Sequence, residues 1–459
     1  MEQIKFGTDG WRATLDIFTA ERVNLVGEAI VSYVRSVGLE KKPIIIVHDA
    51  RESSPIFVKG LYEKMTQLGQ NVICGDRDYP TPMAAWTVVD RDLAGAIVIT
   101  ASHNPPEYNG IKFIPADGAP ALPEVTTELE KYLMNPNSVL KGGGKVEVVD
   151  FMGPYVKHVK GLVGTDLKGL EVVYDAMHGS GRGITDEILR ESGANVKSIR
   201  DYLDPTFGGT PPEPKSENLE LLVGSIQSGE GDIGIANDGD ADRVAVVTPR
   251  RGCLDGNLLF AVLYEYLLER DTGPAIRTVS TTYLIDKIAE FHDESVVEVP
   301  VGFKWVAQAM KTHSALFGGE DSGGFSMKGH VREKDGILIA QLAASAEVER
   351  SLDERVDLIL ERHGEVHNLT QNIVCQESKK KEVLNKIHQV VGDEFSGVKI
   401  KQINAIDGVK ILLVDGSWIL LRPSGTEPKM RIYTEGNSKH RVEELVRAGE
   451  ELINELIGS

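Results

Sequence analysis

At 459 residues the chain is far longer than one ordinary domain of roughly 100 to 200 residues, so it divides into three or four cores. Its 50 lysines and arginines against 69 aspartates and glutamates leave a net charge of -19, which repels nucleic-acid phosphates and excludes DNA or RNA as an expected partner. Cys74, Cys253 and Cys375 lie far apart without CxxC spacing, which excludes a disulfide framework or structural zinc. No run reaches the roughly 18 to 20 apolar residues that span a bilayer, and Met1-Glu2-Gln3-Ile4-Lys5 opens no signal region, so no membrane contact and a cytoplasmic location are expected.

In chain order, three segments repeat one plan: a short β-branched run ends in Gly, Asp or Ser and is joined to the next by an amphipathic stretch, which is the α/β pattern. In the first, 43–47 and 96–99 read as buried strands, with helices over 20–37 and 54–68. In the second, 170–174, 233–236 and 244–247 are strands. In the third, 257–270 and 335–348 are helical, and Val279-Ser280 and 296–299 are strand-like. The last ninety residues read as a smaller α+β unit, with strands at 410–414, 418–421 and 430–434 and a closing helix over 439–457. Lys141-Gly142-Gly143-Gly144-Lys145, Arg250-Arg251-Gly252 and His363-Gly364 mark the breaks, giving domains expected at 1–150, 151–252, 253–366 and 367–459.

Four short motifs carry chemistry. Thr100-Ala101-Ser102-His103-Asn104-Pro105 follows the strand ending at Ile99, which puts a hydroxyl at the carboxyl edge of a sheet, where α/β ligand sites form. A helix-capping serine is the competing reading, weakened by Pro105, Pro106 and Gly110. Lys112, ten residues on, could neutralise a phosphate or shuttle a proton, and a cation that lowered its pKa would activate it; a solvated surface lysine is the alternative. Asp238, Asp240 and Asp242 in Asp238-Gly239-Asp240-Ala241-Asp242-Arg243 can turn toward one point and suit a hard cation. A calcium EF-hand fails, because Arg243 and Pro249 stand where it needs Gly and Glu. Magnesium with three carboxylates and one phosphoryl oxygen is the better match, against an acidic surface turn.

Gly318-Gly319-Glu320-Asp321-Ser322-Gly323-Gly324 could grip sugar hydroxyls, or be a plain turn. Arg422-Pro423-Ser424-Gly425-Thr426-Glu427-Pro428 offers a guanidinium, two hydroxyls and backbone amides, the inventory of a phosphate cradle to which Arg431 can add; a β-turn competes. Arg12, in Phe6-Gly7-Thr8-Asp9-Gly10-Trp11-Arg12, is within possible reach of the serine loop.

Taken in this order, the four motifs resemble the α-D-phosphohexomutase family over essentially the whole chain. The resemblance implies three similar α/β domains with mixed sheets and a smaller C-terminal α+β domain around a central cleft, each giving one loop. It implies a phosphoserine at Ser102, magnesium held by Ser102, Asp238, Asp240 and Asp242, and Lys112, His103 and Arg12 beside the group in transfer. Arg243 would meet the reacting phosphate, Glu320 and Ser322 the sugar hydroxyls, and Arg422, Ser424, Gly425, Thr426 and Arg431 the distal phosphate. Pro300-Val301-Gly302-Phe303-Lys304 and His330-Val331-Arg332-Glu333-Lys334-Asp335-Gly336 look most like phosphoglucomutases. The phosphomannomutase/phosphoglucomutase branch tends to carry histidines where this chain has Phe303 and Gly324, so Lys304 is the substitute expected at the substrate. The expected activity interconverts hexose 1- and 6-phosphates, with glucose first and mannose or glucosamine phosphates as alternatives, and a hexose 1,6-bisphosphate as intermediate and activator. A metal-dependent sugar phosphatase and a catalytically silent sugar-phosphate sensor are the rivals. A monomer or homodimer is expected.

Overall fold

The computed structural model describes residues 4–135, 142–425 and 428–458. Among them the strands form four sheets that follow one another along the chain. The first comprises β1 (Trp11–Thr14), β2 (Ile44–His48), β3 (Val72–Cys74), β4 (Gly95–Ile99), β5 (Tyr108–Pro115) and β6 (Val146–Val148), in the order β1-β5-β4-β2-β3-β6. The second holds β7 (Glu171–Asp175), β8 (Asn195–Ile199), β9 (Ile233–Asn237), β10 (Val244–Thr248) and β11 (Gly252–Cys253), in the order β11-β10-β9-β7-β8. The third holds β12 (Ala275–Thr278), β13 (Val296–Val299), β14 (Phe317–Gly319) and β15 (Phe325–Met327), in the order β13-β12-β14-β15. The fourth holds β16 (His367–Val374), β17 (Glu394–Phe395), β18 (Val398–Asn404), β19 (Val409–Leu413), β20 (Trp418–Pro423) and β21 (Lys429–Gly436), and its paired strands are antiparallel throughout.

The first three sheets are mixed by one device. In each, the last parallel strand turns back into an antiparallel neighbour: β4 into β5, β9 into β10, β14 into β15. The three turns carry the serine, aspartate and glutamate motifs, so three unrelated sequences occupy one topological position. The continuous Ile and Val runs of β2 and β4 are buried along their length, as strands covered by helices on both faces must be. Helices arise at the expected segments, among them Ala20–Ser36, where the Thr19 side chain accepts the Arg22 amide at the N-cap, and Ser54–Gln67.

Val279-Ser280 is not a strand. The strand is β12, one step earlier, and Val279 and Ser280 lie in the turn after it. An apolar-run reading misses β12 because buried Arg277 interrupts it, neutralised by Asp286 and Glu298.

One apolar cluster runs through the first three units, from Val47 and Tyr155 to Leu263 and Ile339. Helix Gly336–Glu349 is its axis: residues 336–346 are all buried, and it packs on helices Met152–Val163 and Thr185–Glu191 and on β9 and β10. Buried around its whole circumference, it joins the third unit to the second. The fourth unit has a separate core that includes Ile411, Leu421, Ile432 and Leu445. No helix among the described residues is long and apolar enough to cross a membrane.

Candidate active site

Ser102 follows β4 in the loop that turns into β5, with its side chain 1% exposed and its backbone in the left-handed region at φ 51°. Its Oγ donates to Asp238 Oδ2 at 2.8 Å, and its amide donates to Thr100 Oγ1 at 2.8 Å. The close approach of the two loops requires a glycine, since a Cβ on Gly239 would lie 2.6 Å from the Ser102 carbonyl oxygen. His103 Nδ1 lies 3.3 Å from Ser102 Oγ, and burial, with the Arg243 and Arg12 charges, pushes its ring far below the usual histidine range, so it is neutral. Arg12 does reach the serine loop: its guanidinium donates to Asn104 Oδ1 at 3.0 Å and to Asp9 Oδ2 at 3.2 Å. Pairing of β1 with β5 delivers it there, with Arg12 opposite Gly110.

Asp238, Asp240 and Asp242 are fully buried between β9 and β10, each offering an oxygen within 4.8 Å of the others. Thr81 Oγ1 donates to Asp240 Oδ2 at 2.5 Å, and the Arg243 amide to Asp238 Oδ1 at 3.0 Å. Lys112, on β5, lies 2.9 Å from both Asp240 Oδ2 and Asp242 Oδ2 and 2.8 Å from Asp9 Oδ2. Lys334 adds a second ammonium, 3.1 Å from Asp242 and 3.2 Å from Asp9. Asp240 Oδ1 and Asp242 Oδ1 remain buried without a hydrogen-bond partner among the described residues. Orphaned carboxylate oxygens beside a third carboxylate and a serine hydroxyl fit a hard divalent cation such as magnesium.

The electrostatics divide the three aspartates. Burial raises Asp238 well above the usual carboxylate range, and Asp242 and Asp240 push the same way. Burial also acts against the charge of Asp242, but Lys112 and Lys334 outweigh it and hold that carboxyl below its ordinary value. Burial opposes the charge on Lys112, yet Asp240, Asp242 and Asp9 raise it well above the ordinary lysine range. The lowering by a neighbouring cation that would activate Lys112 is absent, because the carboxylates around it outnumber the cations.

Glu320, buried in the β14–β15 turn, accepts the Gly302 amide on Oε1 at 3.0 Å, and burial raises its carboxyl above the usual range. Arg243 is close enough to counter that rise. Ser322 is exposed on the same turn, beside Asp321, which accepts Ser280 Oγ at 2.9 Å. From the fourth unit, Arg422 Nε donates to Asp407 Oδ2 at 2.7 Å, and Arg431 faces Arg422 across the β20–β21 pair with its charge felt at Asp321. Ser424 is buried, its carbonyl accepting Lys380 Nζ at 2.6 Å; Gly425 is exposed. Thr426 lies outside the described residues. Lys304 makes no ion pair with the aspartates, although the charge of Asp9 acts on it. It opens helix Phe303–His313, lies 5.8 Å from the Trp305 ring and lines a cavity of about 490 Å³ with Tyr33, Pro115 and Lys311.

Sequence reasoning missed Lys334, Thr81 and the part played by Asp9. The one local signal for Lys334 is its place before Asp335, whose carboxylate caps the buried helix Gly336–Glu349 and so anchors the lysine at the centre.

Four family models match successive stretches: phosphoglucomutase/phosphomannomutase alpha/beta/alpha domain I over 3–138, domain II over 153–252, domain III over 255–363 and the C-terminal domain over 371–451. A protein named as a probable phosphoglucosamine mutase from Methanosphaera stadtmanae is 31% identical, covering 98% of each chain. A phosphopentomutase from Thermococcus kodakarensis is likewise 31% identical over 98% of each. The crystal structure of a phosphoglucomutase/phosphomannomutase family protein from Burkholderia thailandensis shares the fold, with a TM-score of 0.87 at 21% identity over 99% of this chain and 98% of that one.

Proposed function

This chain belongs to the phosphoglucomutase/phosphomannomutase family, and we propose that within it the chain interconverts a hexose 1-phosphate and its 6-phosphate, glucose first, through a phosphoryl group carried on Ser102. The observation that supports this most is the join of two units at one point: Ser102 Oγ bonded to Asp238, with Lys112 bridging Asp240 and Asp242. In the proposed step the phosphorus–oxygen bond at Ser102 breaks as one forms to a free sugar hydroxyl oxygen; the hydroxyl's proton goes to solvent water, and Ser102 Oγ takes a proton from Lys112, which regains one from the same solvent. The bisphosphate so formed turns over, and its other phosphoryl group goes back to Ser102.

Phosphoryl transfer asks a protein mainly for position and for positive charge near the moving oxygens. A magnesium ion held by Asp238, Asp240, Asp242 and the oxygen of Ser102 supplies part of that charge when bound. Lys112, already an ammonium, supplies charge of its own and is the proton donor of this reading. Arg12 and Arg243 flank the serine, and Arg243 contacts the reacting phosphate. Glu320 and Ser322 take sugar hydroxyls. Arg422, Ser424, Gly425, Thr426 and Arg431 hold the phosphate that does not react, which a phosphatase has no need to grip. Lys304, close enough to feel the Asp9 charge, contacts the substrate in this reading.

The first test supplies glucose 1-phosphate, magnesium and a trace of glucose 1,6-bisphosphate. Glucose 6-phosphate is the expected product; free phosphate without it rejects the mutase. Intact mass should show one phosphoryl increment that turns over with substrate and is absent in Ser102→Ala. Because relatives bear the names of glucosamine and pentose phosphate mutases, kcat/KM compared across glucose, mannose, glucosamine and ribose phosphates decides the sugar.

A further inference from the structure

We propose that Arg51 is a positioning residue that sets the reactive geometry of Ser102, an inference that rests on the reading of Ser102 as phosphoryl carrier. Arg51 lies between β2 and helix Ser54–Gln67, and its side chain is 1% exposed. A guanidinium has five N–H donors in a fixed plane, and here each finds an acceptor. Nε donates to Asp49 Oδ2 at 2.9 Å. One terminal nitrogen donates to the carbonyls of Pro105 at 2.7 Å and Tyr108 at 3.0 Å, the other to those of Ser102 at 2.9 Å and Asn104 at 2.6 Å. Four carbonyls of one loop therefore converge on a single cation.

The other end of the Ser102 residue is tied to the same carboxylate. Asp49 Oδ2 also accepts Thr100 Oγ1 at 2.6 Å, and Thr100 Oγ1 accepts the Ser102 amide at 2.8 Å. Asp49 thus reaches the carbonyl of Ser102 through Arg51 and its amide through Thr100, on either side of a residue whose φ of 51° a side chain rarely adopts. Phe207, from the second unit, places its ring 5.0 Å from the guanidinium and covers it. None of these groups makes a hydrogen bond or ion pair with the carboxylate triad. They act on where Oγ points, and misplacement of a reacting atom by about 1 Å can cost on the order of 100-fold in rate.

Arg51→Lys is the test, because a lysine offers three donors from one point and cannot span four carbonyls. Turnover is measured with glucose 1-phosphate, magnesium and glucose 1,6-bisphosphate, and expressed per mole of phosphoenzyme formed, so that misfolded protein does not enter. The expected result is a kcat lower by about 100-fold with KM changed by less than about threefold, since the substrate is gripped by other units. A purely structural role would lower the melting temperature and the yield of phosphoenzyme while leaving kcat per phosphoenzyme intact. Thr100→Val, which removes the amide's acceptor at nearly constant volume, should lower kcat by about tenfold with the same unchanged KM, and it decides the matter if Arg51→Lys does not fold. A kcat within about threefold of the parent in the variant that folds, or a loss carried by KM, overturns the proposal. If the parent itself moves no phosphoryl group through Ser102, the reading of the serine fails and this inference with it; an active parent beside an equally active variant sinks the inference alone.

Discussion

The Lys112 ammonium answers three carboxylates at once, so replacing it leaves buried Asp240 without an ammonium and Asp9 and Asp242 sharing Lys334 alone. Lys112→Met is therefore expected to destabilise the metal-free protein by about 3 to 5 kcal/mol, the usual cost of an uncompensated buried charge. Magnesium that binds the folded carboxylates should raise the variant's melting temperature by more than the parent's, and calorimetry with and without the ion checks both. At this scale the legible residues were those whose chemistry is written in neighbouring positions. Ser102 and the three aspartates stand in short motifs, whereas Lys334 and Thr81 reach the aspartate cluster from 92 and 159 positions away along the chain, measured to Asp242 and Asp240. Lys112 was found, but the sign of its pKa shift was not, since that depends on how many carboxylates surround it.

Helix Gly336–Glu349 carries an acid where it is least welcome. Glu347 lies in the last turn, where a negative charge opposes the helix dipole. Burial, reinforced by Asp353 and Asp232, pushes its carboxyl up to about 7. Folded protein thus keeps a proton on Glu347 up to about pH 7 that the unfolded chain releases near its ordinary 4.5. Between those values the folded state binds more protons, so the contribution of this group to stability is full below the lower value and is lost as pH rises through the higher. Glu347→Gln removes that loss, and its melting temperature should exceed the parent's by more at pH 8 than at pH 5. Elements with continuous apolar runs, such as β2 and β4, were legible because burial on both faces writes itself into composition. β12 was displaced because its buried arginine is tolerated only by partners, Asp286 and Glu298, that lie elsewhere in the chain.

The first three units share one core, whereas the fourth has a core of its own and meets the third through a small apolar cluster of Val279, Trp418, Leu420 and Tyr433, so the fourth is the part that can shift relative to the rest. Asp407 is one tether: its Oδ2 accepts both Arg422 Nε at 2.7 Å and the Val301 amide of the third unit at 3.0 Å. Lys410 is another, 4.1 Å from the rings of both Tyr283 and Trp418 and donating to the Val279 carbonyl at 2.8 Å. Asp407→Ala leaves the serine and aspartate loops alone but frees Arg422 from its orienting partner. The expected result in steady-state kinetics is a KM for glucose 1-phosphate raised by about tenfold with kcat changed by less than about threefold. A fall confined to kcat would place Asp407 with the chemistry instead.

The α/β plan, the four motifs in order and the residue types that suit phosphoryl transfer are legible along the chain, because strand periodicity, turn composition and short motifs are local properties. Folding in three dimensions is what gives the serine, aspartate and glutamate loops one topological position, holds Lys112 and Lys334 as ammonium ions, and lets Arg51 gather the serine loop. Each of these depends on distances between residues far apart in sequence, and Coulomb energies and hydrogen bonds follow from such distances together with burial and angle.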